Sequence, residues 1–344
     1  MEMVTSAVCG FVLSVLLTGA ALVYAHRRGL IDQPGRRRSH DVPTPRGGGF
    51  GVVVASLAVG VPALLLVAPL RRPAEVAALA VATIAVAAVG WRDDHAPISI
   101  GPRITVHLAA ALLIGAVLLT PMARTEPARW LWLIPIVIVL AGCINAYNFM
   151  DGIDGILGQQ VLFVMLGYAL LAGFAGETGL ACAAFAVAAA CLGFLLFNAP
   201  PARIFMGDVG SGALGLLVGA FAALLVQRRF AMLWPCVILS SAFLADSALT
   251  LARRLFGGRR WYTAHREHLY QWLVRTRWSH ARTDVAYMIW NLAIAAPAAW
   301  AAVSRPSAGP ALCIAVYAAA VIVWLLGKRA CLASLRRTGG HETA

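Results

Sequence analysis

The chain has 344 residues, of which 60% are hydrophobic and 12% charged, and its mean hydropathy is +0.79. Soluble domains carry about 25% charged residues, so this composition excludes a soluble globule and calls for a membrane-embedded chain. The formal charge of +13 does not indicate nucleic acid, because the basic residues are scattered through short loops between apolar runs, as in loops that face the cytoplasm.

Apolar runs long enough to cross a hydrocarbon core about 30 Å thick predict eleven spans, at 6–25, 49–69, 74–91, 104–120, 130–148, 159–176, 178–197, 209–227, 231–251, 284–303 and 309–327. The fold class is therefore all-α and polytopic, a single membrane domain over 1–344 with a cytoplasmic tail at 328–344. The N-terminus lacks a basic n-region, so span one reads as a retained anchor. The loops after odd-numbered spans, with the tail, hold 21 of the 28 Lys and Arg residues, and the opposite side holds 7. That bias puts the odd loops in the cytoplasm and the N-terminus in the periplasm. The seven cysteines are isolated and form no CxxC. They read as small hydrophobes, not as a disulfide frame or metal site.

The polar clusters all fall in odd loops or at their span ends, which predicts one active site on the cytoplasmic face. The first loop, "LIDQPGRRRSHDVPTPRGGG", includes Arg46 and is basic enough to serve an anion or simply the lipid surface. Asp93 and Asp94 close span three, where the helix macrodipole is already negative. They are either a solvated helix end or a site whose charge is offset by a divalent cation or Arg92.

After span five comes "NAYNFMDGIDG", with Asn145, Asn148, Asp151 and Asp154 at a spacing of three. That spacing keeps neighbours close on a helix, and polar side chains at membrane depth usually face an interior site. Asn145 is expected to serve packing. Asp208, in "FMGDVGSG" before span eight, is either a simple N-cap or a Mg²⁺ ligand beside glycines whose N–H groups reach a phosphate. Asp246, within span nine, is expected to pair with Arg253 or Arg254. The last odd loop carries "HREHLYQ", where His265, Arg266 and His268 resemble an anion-binding patch.

Together, "RDDH", "NAYNFMDGIDG", "FMGDVGS" and the histidine-bearing loop resemble the polyprenyl-phosphate N-acetylhexosamine-1-phosphate transferases over residues 30–275. "SHDVPTPRGGG" and "HREHLYQ" are most similar to the O-antigen-initiating branch that uses 6-deoxy sugars. UDP-N-acetylglucosamine and peptidoglycan-type members are the alternatives. The resemblance implies a bacterial inner-membrane enzyme that joins a UDP-N-acetylhexosamine to undecaprenyl phosphate with Mg²⁺, or Mn²⁺ in its place. It implies Asp93, Asp94, Asp151 and Asp154 as catalytic, with Asp208 as metal ligand and Asp154 as a second candidate. Asn148, Arg46, His265, Arg266 and His268 would bind substrate.

The second pKa of a phosphate monoester is near ~6, so the acceptor needs no strong base. Direct attack is favoured over an aspartyl-phosphate. A homodimer is left open. A proton-coupled transporter is the rival from another class, but its acids would sit nearer midspan, with internal repeats.

Overall fold

With no water in a bilayer core, each apolar run must satisfy its backbone hydrogen bonds within itself, and only helices do so segment by segment. The computed structural model describes residues 2–35, 42–67, 73–259 and 266–339. Its helices are α1 (Glu2–Arg28), α2 (Gly49–Pro62, continued by a π-helical turn to Val67), α3 (Pro73–His95), α4 (Ile100–Ala123), α5 (Leu133–Met150), α6 (Ile156–Phe174) and α7 (Thr178–Asn198). They continue with α8 (Asp208–Arg228), α9 (Leu233–Leu239), α10 (Ser241–Phe256), α11 (Leu269–Arg275), α12 (His280–Trp290), α13 (Ala296–Ser304) and α14 (Gly309–Gly339). Among the described residues, ten helical segments are long and apolar enough to span a membrane, and α9 with α10 makes an eleventh if counted as one.

One expectation changes. Span nine is not one helix: α9 and α10 meet at a 74° bend. The break falls at Ser240, which keeps its backbone bonds to Cys236 and Leu244 while side chains from other helices reach in beside them. Tyr168 Oη lies 3.1 Å from Ser240 Oγ and donates to the Cys236 carbonyl, and Trp290 Nε1 donates to Ser241 Oγ. Such insertions are a recognised cause of kinks. The helix α14 runs on to Gly339, so the stretch expected as a tail from 328 begins as a helix.

The helix α8 is the most enclosed and packs against α2, α3, α5 and α6. Gly90 allows the closest approach, since a Cβ there would fall 2.1 Å from the Asp208 carbonyl oxygen. A short antiparallel pair, β1 (Ile31–Asp32) and β2 (Thr44–Pro45), was not expected. It leads into Arg46, which bridges to Phe205 and ties the first loop to the segment before α8. The C-terminal ends of α3, α5 and α7 thereby meet the N-terminal ends of α6 and α8 at one end of the bundle.

Candidate active site

Those helix ends enclose a cavity of about 250 Å³, lined by Arg46, Asp94, Asn148, Asp151, Asp154 and Asp208, with Asp32, Tyr270, Gln271 and His280 completing the rim. The DD pair divides its work. Asp94 is buried, and its two carboxylate oxygens accept the backbone N–H groups of Asp208 (3.1 Å) and Val209 (3.0 Å). It caps the positive end of α8. Asp93 accepts the Ile98 N–H at 2.7 Å and pairs with Arg103 at 2.6 Å. Arg103 thus offers a cation at this helix end, whereas Arg92 donates to the Ala96 carbonyl.

Arg103 also reaches Asp208 Oδ1 at 3.3 Å and Asn148 Oδ1 at 3.4 Å. Asn148 Nδ2 donates to Asp208 Oδ1 at 2.5 Å and to Ser211 Oγ at 2.7 Å. The expected stripe is thus split by function. Asn148 braces Asp208, while Asn145 bonds back to the Ala141 carbonyl of its own helix. Arg46 donates to the Asp94 backbone carbonyl.

Asp151 lies where α5 ends. Burial pushes its carboxyl well above the usual carboxylate range, and Asp208 and Asp94 push it further in the same direction. Asp154 is held from two sides: Oδ2 accepts the Ala202 N–H at 3.0 Å, and Oδ1 lies 3.2 Å from His280 Nδ1. The adjoining turn is fixed by Gly155, whose left-handed φ of +80° suits glycine, and by Asn198, which accepts the Gly155 N–H.

Carboxylates outnumber arginines around this cavity, so a phosphate placed there would need an added cation. Among the described residues, no three His, Cys, Asp or Glu side chains could hold a metal by themselves. The donors nevertheless fit Mg²⁺, which takes one or two carboxylates and completes its shell with water and substrate phosphate.

The family model described as glycosyl transferase family 4 matches residues 76–226. A decaprenyl-phosphate N-acetylglucosaminephosphotransferase of Mycolicibacterium smegmatis is 30% identical over 81% of this chain and 77% of its own length. The chain belongs to glycosyl transferase family 4. Other relatives in this range are a probable undecaprenyl-phosphate N-acetylglucosaminyl 1-phosphate transferase of Bacillus subtilis, 26% identical over 82% of this chain and 81% of its own. A phospho-N-acetylmuramoyl-pentapeptide-transferase of Shouchella clausii is 29% identical over 72% and 79%. As a member of this glycosyl transferase family the protein is a multi-pass membrane transferase.

The family match covers Asp93 to Asp208 but stops short of the last loop, and there the expected residues disperse. His265 lies outside the described residues. His268 is buried, stacks on Tyr270 at 5.8 Å and faces Asp246 at 3.8 Å. It stands behind the cavity wall, and Tyr270 and Gln271 line the cavity in its place. Arg266 lines a different cavity. Asp246 pairs with neither Arg253 nor Arg254; it accepts the Leu269 N–H, Tyr287 Oη and Trp324 Nε1, while Arg254 pairs with Glu267. Arg103, Ser211 and His280 were not anticipated.

Proposed function

We propose that this transferase moves N-acetylhexosamine-1-phosphate from a UDP-sugar to undecaprenyl phosphate. A phosphate oxygen of the lipid forms a bond to the β-phosphorus, the bond from that phosphorus to the α–β bridging oxygen breaks, and UMP leaves with that oxygen. The product is an undecaprenyl-pyrophosphoryl sugar that starts a lipid-linked surface polysaccharide, O-antigen-like in kind.

One observation carries the reading: Asp94, Asp151, Asp154, Asp208 and Arg46 come from several helix ends to a single cavity at one end of an apolar bundle, and Arg103 links Asp208 to Asp93 beside it. Phosphoryl transfer needs positioning and charge neutralisation more than covalent help. Such a cavity meets an interfacial lipid phosphate and a soluble nucleotide together. In this reading, Asp208 would hold Mg²⁺, with Asp154 as second candidate, and the ion when bound would neutralise charge on the diphosphate. Asn148 and Arg103 orient Asp208. Arg46 lies where a phosphate would enter.

The 21-to-7 bias of Lys and Arg supports a cytoplasmic position for this end, and the proposed location is a bacterial inner membrane. "HREHLYQ" favours a 6-deoxy-N-acetylhexosamine donor, and the names of two relatives favour N-acetylglucosamine. The test is purified protein in liposomes with undecaprenyl phosphate, Mg²⁺ and a panel of UDP-sugars that includes both donors and UDP-N-acetylmuramoyl-pentapeptide. UMP release with a lipid-linked product from one donor is expected, lost with EDTA and restored by Mg²⁺. Silence with every donor, or full activity in Asp208→Asn, would overturn the reading.

A further inference from the structure

Arg266 opens onto a second cavity of about 460 Å³, which shares no lining residue with the aspartate cavity. Its walls include Arg253 and Arg254 from the last turn of α10, Arg259 beyond it, and Trp272 and Arg275 of α11. Glu267 is the only acidic side chain lining it among the described residues, and Arg254 and Arg259 already engage it. Burial works against Glu267 ionising, yet Arg254 and Arg259 hold its carboxyl below the usual range.

Positive charge remains in excess. Burial and then Arg266 lower the pKa of the Arg275 guanidinium, and Glu267 only partly opposes them. Lys328 of α14 adds a further cation 5.5 Å from the Trp272 ring. The buried indole N–H of Trp272 has no acceptor among the described residues. Guanidinium forks with a nearby N–H donor suit phosphate oxygens.

The neighbouring surface decides which phosphate. Leu255 and Phe256, next in sequence to Arg254, are 57% and 89% exposed. They end α10, the helix turned 74° away from α9. Exposed apolar side chains beside a basic cluster suit a helix end seated at a lipid interface. Basic pockets between membrane helices take anionic headgroups.

We propose that the arginine cavity binds the phosphate headgroup of an anionic phospholipid, at a site separate from the transfer cavity. This goes beyond the proposed reaction and does not depend on it.

The test is native mass spectrometry of the full chain in mixed micelles holding equal phosphatidylglycerol and phosphatidylcholine, beside Arg253→Gln/Arg275→Gln. Phosphatidylglycerol adducts should dominate on the wild type. Affinity should fall about fivefold per arginine removed, hence about 25-fold in the double variant. A melting curve checks its fold, and Arg259→Gln alone, with about a fivefold loss, serves if the double variant unfolds. Inorganic phosphate and UMP at millimolar concentration form the soluble arms and should leave the lipid adducts in place. Equal binding of the two lipids overturns the proposal, as do variants that keep wild-type preference. Binding of UMP or phosphate that is lost in these variants, without any lipid preference, overturns the lipid as occupant.

Discussion

Asp94 accepts the backbone N–H of Asp208 at 3.1 Å, and its second oxygen accepts that of Val209. A carboxylate at the negative end of α3 thus sits on the positive end of α8, so the two helix dipoles meet through it. Gly207 makes room, since a Cβ there would fall 2.6 Å from Asp94 Oδ2. Asp94→Ala should lower stability by about 1–2 kcal/mol, in the range for a lost cap, and Asp94→Asn by less because it keeps one acceptor. Both should reduce transfer. Melting in detergent micelles checks the order, and equal stability of all three proteins would refute the capping role.

Arg103 joins Asp93 to Asp208. Arg103→Ala leaves both carboxylates without this cation and frees Asn148 from one of its partners. The turnover number should fall about 10²-fold, as for loss of a preorganised donor. Arg103→Lys keeps the charge but cannot span both acids as a fork, so its rate should lie between the two. Steady-state kinetics with saturating lipid reads the difference.

His280 approaches Asp154 through Nδ1, 3.2 Å from Oδ1. Nδ1 also accepts the Asp154 backbone N–H at 3.3 Å; an asparagine can place its amide oxygen near that point to accept it, while glutamine places its amide nearer the Nε2 position. His280→Asn should therefore retain most activity, whereas His280→Gln and His280→Ala should lose about 10²-fold through misplacement of Asp154. If the loss is the same in all three, with unchanged melting, His280 does not act through Nδ1.

Asp151 carries a carboxyl raised by burial and by Asp208 and Asp94. A raised carboxyl costs the folded state stability once the pH exceeds its unfolded value, about 3.9. Asp151→Asn should thus melt with the wild type near pH 4, and above it with a margin that grows as the pH rises toward the folded pKa. It should be inactive throughout. Metal-free melting curves across this range test the sign, and a variant less stable than wild type at neutral pH would reverse it.

Much of the site was legible because its residue types are out of place in an apolar chain. Asn148, Asp151 and Asp154 stand out at the end of span five, and Asp208 stands out among glycines. Arg103 was not legible, since a lone loop arginine looks like any other positive-inside residue. His280 lies 126 residues from Asp154, and no spacing rule links them. The partners of Asp246 were misread because nearby arginines offered an obvious pairing, while the Leu269 N–H leaves no mark in a sequence.

Hydropathy and charge alone determined a multi-span helical membrane protein with its acids grouped at one end, because burying backbone in lipid permits few other solutions. Only the tertiary structure decided which groups meet. It made Asp94 a cap for α8, moved Arg266 to a separate cavity and put His268 behind Tyr270. It also broke span nine at Ser240. Those outcomes depend on how closely α3 can approach α8 at Gly90 and on which side chains reach across between helices. Both are properties of packed distances, which composition and spacing do not encode.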